Sequence, residues 1–108
     1  MTEQEIERYL LSEYARWDWS LIPSHMWGGV KNWVEYGISG GGFQRCIMEH
    51  DFYEAIGHAD HMNKASIVGW AEFLSWYLPS GCHGSYVKCQ EWAQSGGLRK
   101  ILANEVAA

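Results

Sequence analysis

Apolar residues in this chain recur at three- and four-residue spacing, in short runs that Gly or Pro closes one after another. That period gathers side chains on one face of a helix, whereas a half-buried strand needs period two. No sustained alternation and no Asn-Gly hairpin turn is present. An all-α fold is expected: a compact single-domain bundle of five to six short helices around a central apolar helix.

The runs can be placed. Thr2 and Glu5 read as a capping box, Thr accepting from the third helical amide and Glu reaching back to the cap amide. Ile6, Leu10, Tyr14 and Trp17 follow at helical spacing, so a first helix is expected over 3–18, with residues 1–20 either packed or carried as a mobile arm. Pro23 and Ser24 suit a second start. Met26, Val30, Trp33 and Val34 mark its buried face, and Gly37 suits the closing position, where φ is positive. Gly28 and Gly29 inside that helix cost about 1 kcal/mol each against Ala, so another element is expected to pack closely there.

Residues 38–43 (ISGGGF) read as a turn, and a short helix over 42–49 buries Phe43, Cys46 and Ile47. Asp51 and Glu54 open a helix over 52–60. Over 63–78, Ile67, Trp70, Ala71, Leu74, Tyr77 and Leu78 share one side while Val68, Phe73 and Trp76 lie on others. An apolar surface that wide predicts the central helix, which Pro79 ends. Ser85 caps a helix over 86–95, Gly96 and Gly97 stop it, and 98–102 adds one basic turn before a frayed end.

With 108 residues, 47% apolar and 19% charged, the chain carries one core and is not disordered. No apolar run approaches the roughly 18 residues of a membrane span. The opening MTEQEIERYL is acidic and polar, unlike a secretory leader. With an odd set of three cysteines, it predicts a reducing cytoplasm. Net charge is −5, and residues 1–60 hold ten acids against four bases. Such a chain does not bind nucleic acid by neutralising phosphates, and its acidic half suits a basic surface instead.

Few residues suggest chemistry. Asp51, Glu54, His58 and His61 fall on one helical stripe, and Glu54, His58 and His61 are close enough along it to share a divalent metal. The plainer reading is a solvated face, since HExxH is absent and no second ligand helix stands out. Cys82 and His83 adjoin in a Gly-rich loop, but a nucleophilic thiol needs a base placed in space, not in sequence. The triple glycine of 40–42 is followed by no Lys and fits neither GxGxxG nor a Walker pattern, so no cofactor is expected. Of the seven Trp, Trp33, Trp70 and Trp92 fit core periodicity, and Trp17, Trp19, Trp27 and Trp76 are less forced inward.

The stretches 22–43 (IPSHMWGGVKNWVEYGISGGGF), 51–63 (DFYEAIGHADHMN) and 78–85 (LPSGCHGS) resemble small proteins encoded by temperate phages and prophages. Those carry I-P-x-H-M-x-G-G, then G-I-x-x-G-x-F, D-x-x-x-A and A-D-x-x-N, then a P-x-G-x-x-G-S loop. The likeness covers about residues 22–95, and it departs at Tyr86, where Pro would follow the cap. It implies an anti-defence role, an anti-CRISPR protein first, since short acidic phage proteins often disable host machinery by binding it.

The chain is therefore expected to be a non-enzymatic inhibitor, monomer or homodimer, that binds a host defence protein or ribonucleoprotein complex. The expected docking face comprises Glu3, Glu7, Glu13 and Asp18 with Trp17, Trp19 and Trp27 exposed. The alternatives are a nucleotide-binding sponge that stacks a signalling nucleotide on Trp and His, and a metal-dependent hydrolase built on Glu54, His58 and His61.

Overall fold

Residues 1–105 are described by a computed structural model. Among them lie eight α-helices and no strand: α1 (Glu3–Arg16), α2 (Trp27–Tyr36), α3 (Gly42–Met48), α4 (Phe52–His58), α5 (His61–Ala65), α6 (Ile67–Trp76), α7 (Tyr86–Ser95) and α8 (Leu98–Glu105). Three 3-10 turns join them at Trp19–Leu21, Ser24–Met26 and Ser80–Cys82. The all-α expectation holds, and the helices are more numerous and shorter than the five to six expected.

The extra helices are α5, parted from α6 at Ser66, and α8, while capping side chains shift the ends of others. α1 stops at Arg16 rather than 18 because Trp17 turns extended and Asp18 caps the following turn by accepting from Ser20 N. The helix expected over 52–60 ends at His58, because Asp60 accepts from Asn63 N and so begins α5. The central helix expected over 63–78 is two: Ser66, at φ −105° and ψ 15°, separates α5 from α6. Downstream, 98–102 continues as a full helix to Glu105, with Leu102 buried against Ile6 and Leu10. The Thr2–Glu5 capping box, the left-handed Gly37 and the Ser85 cap are all present, the last without the Pro that the resemblance led one to expect.

α6 does sit at the centre. Trp70, Phe73 and Leu74 are essentially inaccessible, surrounded by Val30, Trp33 and Val34 of α2, Phe43 and Ile47 of α3, and Cys89 and Trp92 of α7. Eight short helices leave many end carbonyls without intrahelical donors. The indoles add donors at or near helix and turn ends, at carbonyls several of which also accept a backbone N–H. Trp19 Nε1 donates to Tyr14 O (2.9 Å), Trp27 Nε1 to Trp19 O (3.1 Å), Trp33 Nε1 to Cys82 O (2.8 Å) and Trp92 Nε1 to Trp33 O (2.8 Å). Trp70 Nε1 donates to Oδ1 of the buried Asn63 at 3.0 Å. A Trp whose N–H is satisfied fills core volume without the penalty of an unpaired buried donor.

Two glycines allow close approaches between α2 and its neighbours. Of the pair in α2, Gly29 faces the buried Gln44, whose Nε2 donates to Gly29 O at 3.0 Å, while Gly28 faces open space. Gly97, at φ +83°, lets α8 start against α2, where a Cβ would lie 2.5 Å from Glu35 O.

α1 is docked on the body. Beyond Ile6 and Leu10, the guanidinium of Arg99 on α8 binds Glu7 and, at 2.8 Å, Glu35 of α2, with Glu3 at 3.9 Å. Tyr14 Oη donates to Glu35 at 2.7 Å. Burial works against the Arg99 charge, but the hydrogen bonds to Glu7 and Glu35 outweigh it and raise its pKa. Burial first, and the Glu35 contact second, likewise push the Tyr14 phenol up, so it stays a donor.

Candidate functional site

The face expected from the sequence is rearranged. Trp17 is only 8% exposed and packs edge-on against Phe73, with ring centroids 5.8 Å apart. Trp19 and Trp27 are half-buried and join it in a continuous aromatic cluster with Tyr14. Lys31 Nζ lies 5.2 Å from the Tyr14 ring centroid and 5.1 Å from that of Trp19, a cation–π arrangement. These three Trp therefore belong to the fold, a correction to their assignment as exposed anchors. The acids of that face are largely engaged as well. Glu7 binds Arg99, Glu13 binds Arg16 at 2.7 Å, and Asp18 caps its own turn. Glu3 alone keeps its carboxylate almost wholly in water.

Trp76 is instead the exposed indole. All seven Trp lie within the described residues, and Trp76, at 77% exposure, is the one left in water. It shares the outward arc of α6 with Val68, itself 68% exposed, and Glu72. At 3.6 residues per turn these three span about a quarter of the circumference, opposite Trp70 and Leu74. The signal was present in the sequence: Val68 and Trp76 fell off the periodic face. The width of the apolar surface suggests burial all round, but this one arc of α6 is left uncovered.

The metal candidates are not brought together. α4 ends at His58, Ala59 is extended, and His61 begins α5 on a new axis, so Glu54, His58 and His61 no longer share a stripe. Among the described residues no three His, Cys, Asp or Glu are arranged to hold one ion. His58 packs instead beside Gly42, where a Cβ would meet its ring at 3.0 Å. Asp51 caps α4 by accepting from Glu54 N.

Two imidazole contacts form that the sequence did not announce. His25 Nε2 lies 2.8 Å from Asp60 Oδ2, at a surface hollow of about 270 Å³ lined also by Gly42, His58 and Asn63. His25, Asp60 and Asn63 belong to the residues that carry the phage-protein resemblance. Their roles here are structural: Asp60 caps α5, and Asn63 receives the Trp70 indole. The second contact joins His50 Nε2 and His83 Nδ1 at 2.8 Å. Burial, then the neighbouring His50 and Lys88, lower the His83 pKa to about 4, so its ring is neutral at pH 7.

The thiols are poor nucleophiles. Burial, then the nearby Cys89, pushes Cys82 far up, and burial with Glu49 pushes Cys89 up to about 11. Both remain protonated at neutral pH, and the reactive species is the thiolate. The Cys82–His83 adjacency is therefore a loop feature.

A half-open cleft of about 190 Å³ lies between α3 and α7, with Trp33, Met48 and Cys89 on its floor and Arg45 and Glu49 on its rim. It falls below the 300–1,000 Å³ usual for ligands of drug or nucleotide size. No protein-family model matches this sequence, and no curated protein or solved structure is significantly similar to it. No helix among the described residues is long and apolar enough to cross a membrane.

Proposed function

We propose that this chain is a phage-encoded accessory protein that inhibits a host defence complex, a CRISPR effector first, by covering one of that complex's protein surfaces. The observation that carries this reading is Trp76. Five other indole N–H groups are spent on backbone or Asn63, and Trp17 is packed on Phe73. Trp76 is held in water at the end of α6 beside Val68 and Glu72. A Trp covers roughly 150–250 Å² when buried. Truncating one at the centre of an interface typically costs about 2 kcal/mol or more.

Charge supports the same kind of partner. The net charge of −5 suits a basic protein surface, the kind that complexes handling nucleic acid present. Glu72 places a carboxylate beside the apolar pair. The resemblance to temperate-phage proteins supplies the target class.

The test is a plasmid-interference assay in cells with an active CRISPR effector. Wild type is expected to restore transformation. Trp76→Ala is expected to weaken binding by about 30-fold, the equivalent of roughly 2 kcal/mol, and to lose most of the protection. Its melting temperature should not move, because the side chain stabilises nothing in the free chain. If Trp76→Ala combined with Val68→Ser protects as well as wild type, α6 is not the docking face.

A further inference from the structure

We propose that His50 and His83 form a binding site for a divalent d-block cation, Cu2+ or Ni2+ in preference to Zn2+, with two imidazole ligands from the protein and water in the remaining positions. Each imidazole is delivered by a fixed piece of backbone. His50 closes α3 in a Schellman arrangement: His50 N donates to Ile47 O at 3.1 Å and Asp51 N to Cys46 O at 2.9 Å. This puts His50 at φ 63°, the only non-Gly residue at positive φ among those described. Glycine is the favoured residue at that position, so a side chain there carries a backbone cost. His83 follows the Ser80–Cys82 turn, and Gly84 N donates to Met48 O at 2.9 Å, tying its loop to the end of the same helix.

The spacing suits an ion. His50 Nε2 and His83 Nδ1 are 2.8 Å apart, with ring centroids at 5.0 Å and planes inclined by 34°. Imidazole nitrogens about 2.05 Å from a metal lie roughly 2.9 Å apart in a cis square or octahedral arrangement, and roughly 3.3 Å apart in a tetrahedral one. The nitrogen spacing is nearer the first, but the rings now face each other in a hydrogen bond, so binding replaces that bond and turns each ring until both lone pairs converge on the ion. For nitrogen ligands of this kind the first-row order also places Cu2+ and Ni2+ at or above Zn2+. His50 is exposed, which leaves an entry path and room for water ligands. Two carboxylate residues, Glu49 and Asp51, flank it in sequence. The nearby ammonium of Lys88 is drawn to Ser80 O at 3.2 Å.

Calorimetric titration with NiCl2 and with ZnCl2 in a non-chelating buffer tests this, using wild type, His83→Ala, His50→Gly and, as a control, His25→Ala. Wild type is expected to take up one Ni2+ per chain, more tightly than Zn2+. His83→Ala and His50→Gly should each weaken Ni2+ binding at least tenfold, and His25→Ala should leave it unchanged. His50→Gly keeps the experiment decisive, since glycine relieves the positive φ and the metal-free variant should melt no lower than wild type. Paramagnetic broadening of the His50 and His83 ring resonances by Ni2+ gives a second readout. Absence of saturable binding in wild type, or binding that survives His50→Gly, overturns the proposal.

Discussion

Gly69→Ala is expected to destabilise the chain by about 3 kcal/mol or more, although alanine is the better helix former by roughly 1 kcal/mol. Gly69 lies inside α6, where a Cβ would sit 2.1 Å from the carbonyl oxygen of Leu21 and 3.1 Å from its carbon. That neighbour is backbone, so no rotamer change relieves the clash. The Trp19–Leu21 turn would have to lift away, and with it the Trp19 ring, packed on Trp17, Trp27 and Phe73. Gly57→Ala is the matched control. Gly57 is exposed within α4 with nothing near a Cβ, and there the same change should stabilise by up to about 1 kcal/mol. Urea unfolding of the two variants checks both signs; a neutral Gly69→Ala would mean that the turn does not rest on α6.

Trp70→Ala carries the larger expected loss, about 5 kcal/mol. Trp70 is fully buried, stands edge-on to Phe43 with centroids 5.4 Å apart, and donates to Asn63. Truncating a buried Trp costs about 3–5 kcal/mol through lost transfer and the cavity left behind. Stranding the Asn63 acceptor adds roughly 1–3 kcal/mol. Total stabilities of small domains run about 5–15 kcal/mol, so the loss is about a third of the total or more and the variant should melt far below wild type. Trp70→Phe separates the two contributions, keeping the ring against Phe43 and losing the N–H. It should cost about 2 kcal/mol and leave a cooperative transition. Equal losses in the two variants would show that the hydrogen bond, not the ring, dominates.

Both residues bear on what was legible beforehand. Helical periodicity and glycine punctuation placed most elements, and Trp33, Trp70 and Trp92 were recognised as core because they recur with Val30, Val34 and Leu74. The splits were not legible. Ser66 lies in a stretch whose apolar pattern runs on unbroken, and its side chain makes no cap hydrogen bond; Asp60 lies at an expected boundary, and whether it caps or merely decorates depends on where Asn63 N points. The aromatic assignment failed for a related reason. Trp19 and Trp27 lie in a segment with little period, which says nothing about burial in a turn that folds back on α6, whereas Trp17 continues the α1 spacing and is buried as that spacing implies. Trp76 lies in a strongly periodic segment, and there its phase placed it outward.

The acidic face misled through pairing across elements. Glu7 and Arg99 are 92 residues apart in the chain, and nothing local predicts that they meet. The same holds for His50 and His83, joined only because α3 ends beside the loop before α7. Short-range motifs such as the Thr2–Glu5 box need no tertiary knowledge and were read correctly.

A chain that acts by covering its target, and leaves it chemically unaltered, inhibits stoichiometrically. Increasing amounts of the purified chain are titrated into a fixed amount of sensitive CRISPR effector, and nuclease or target-binding activity is read after short and long incubations. Activity should fall linearly to an end point at one chain, or one dimer, per binding site, independent of time, with full activity recovered once the chain is removed. Progressive inactivation by a small fraction of an equivalent, persisting after removal, would contradict it.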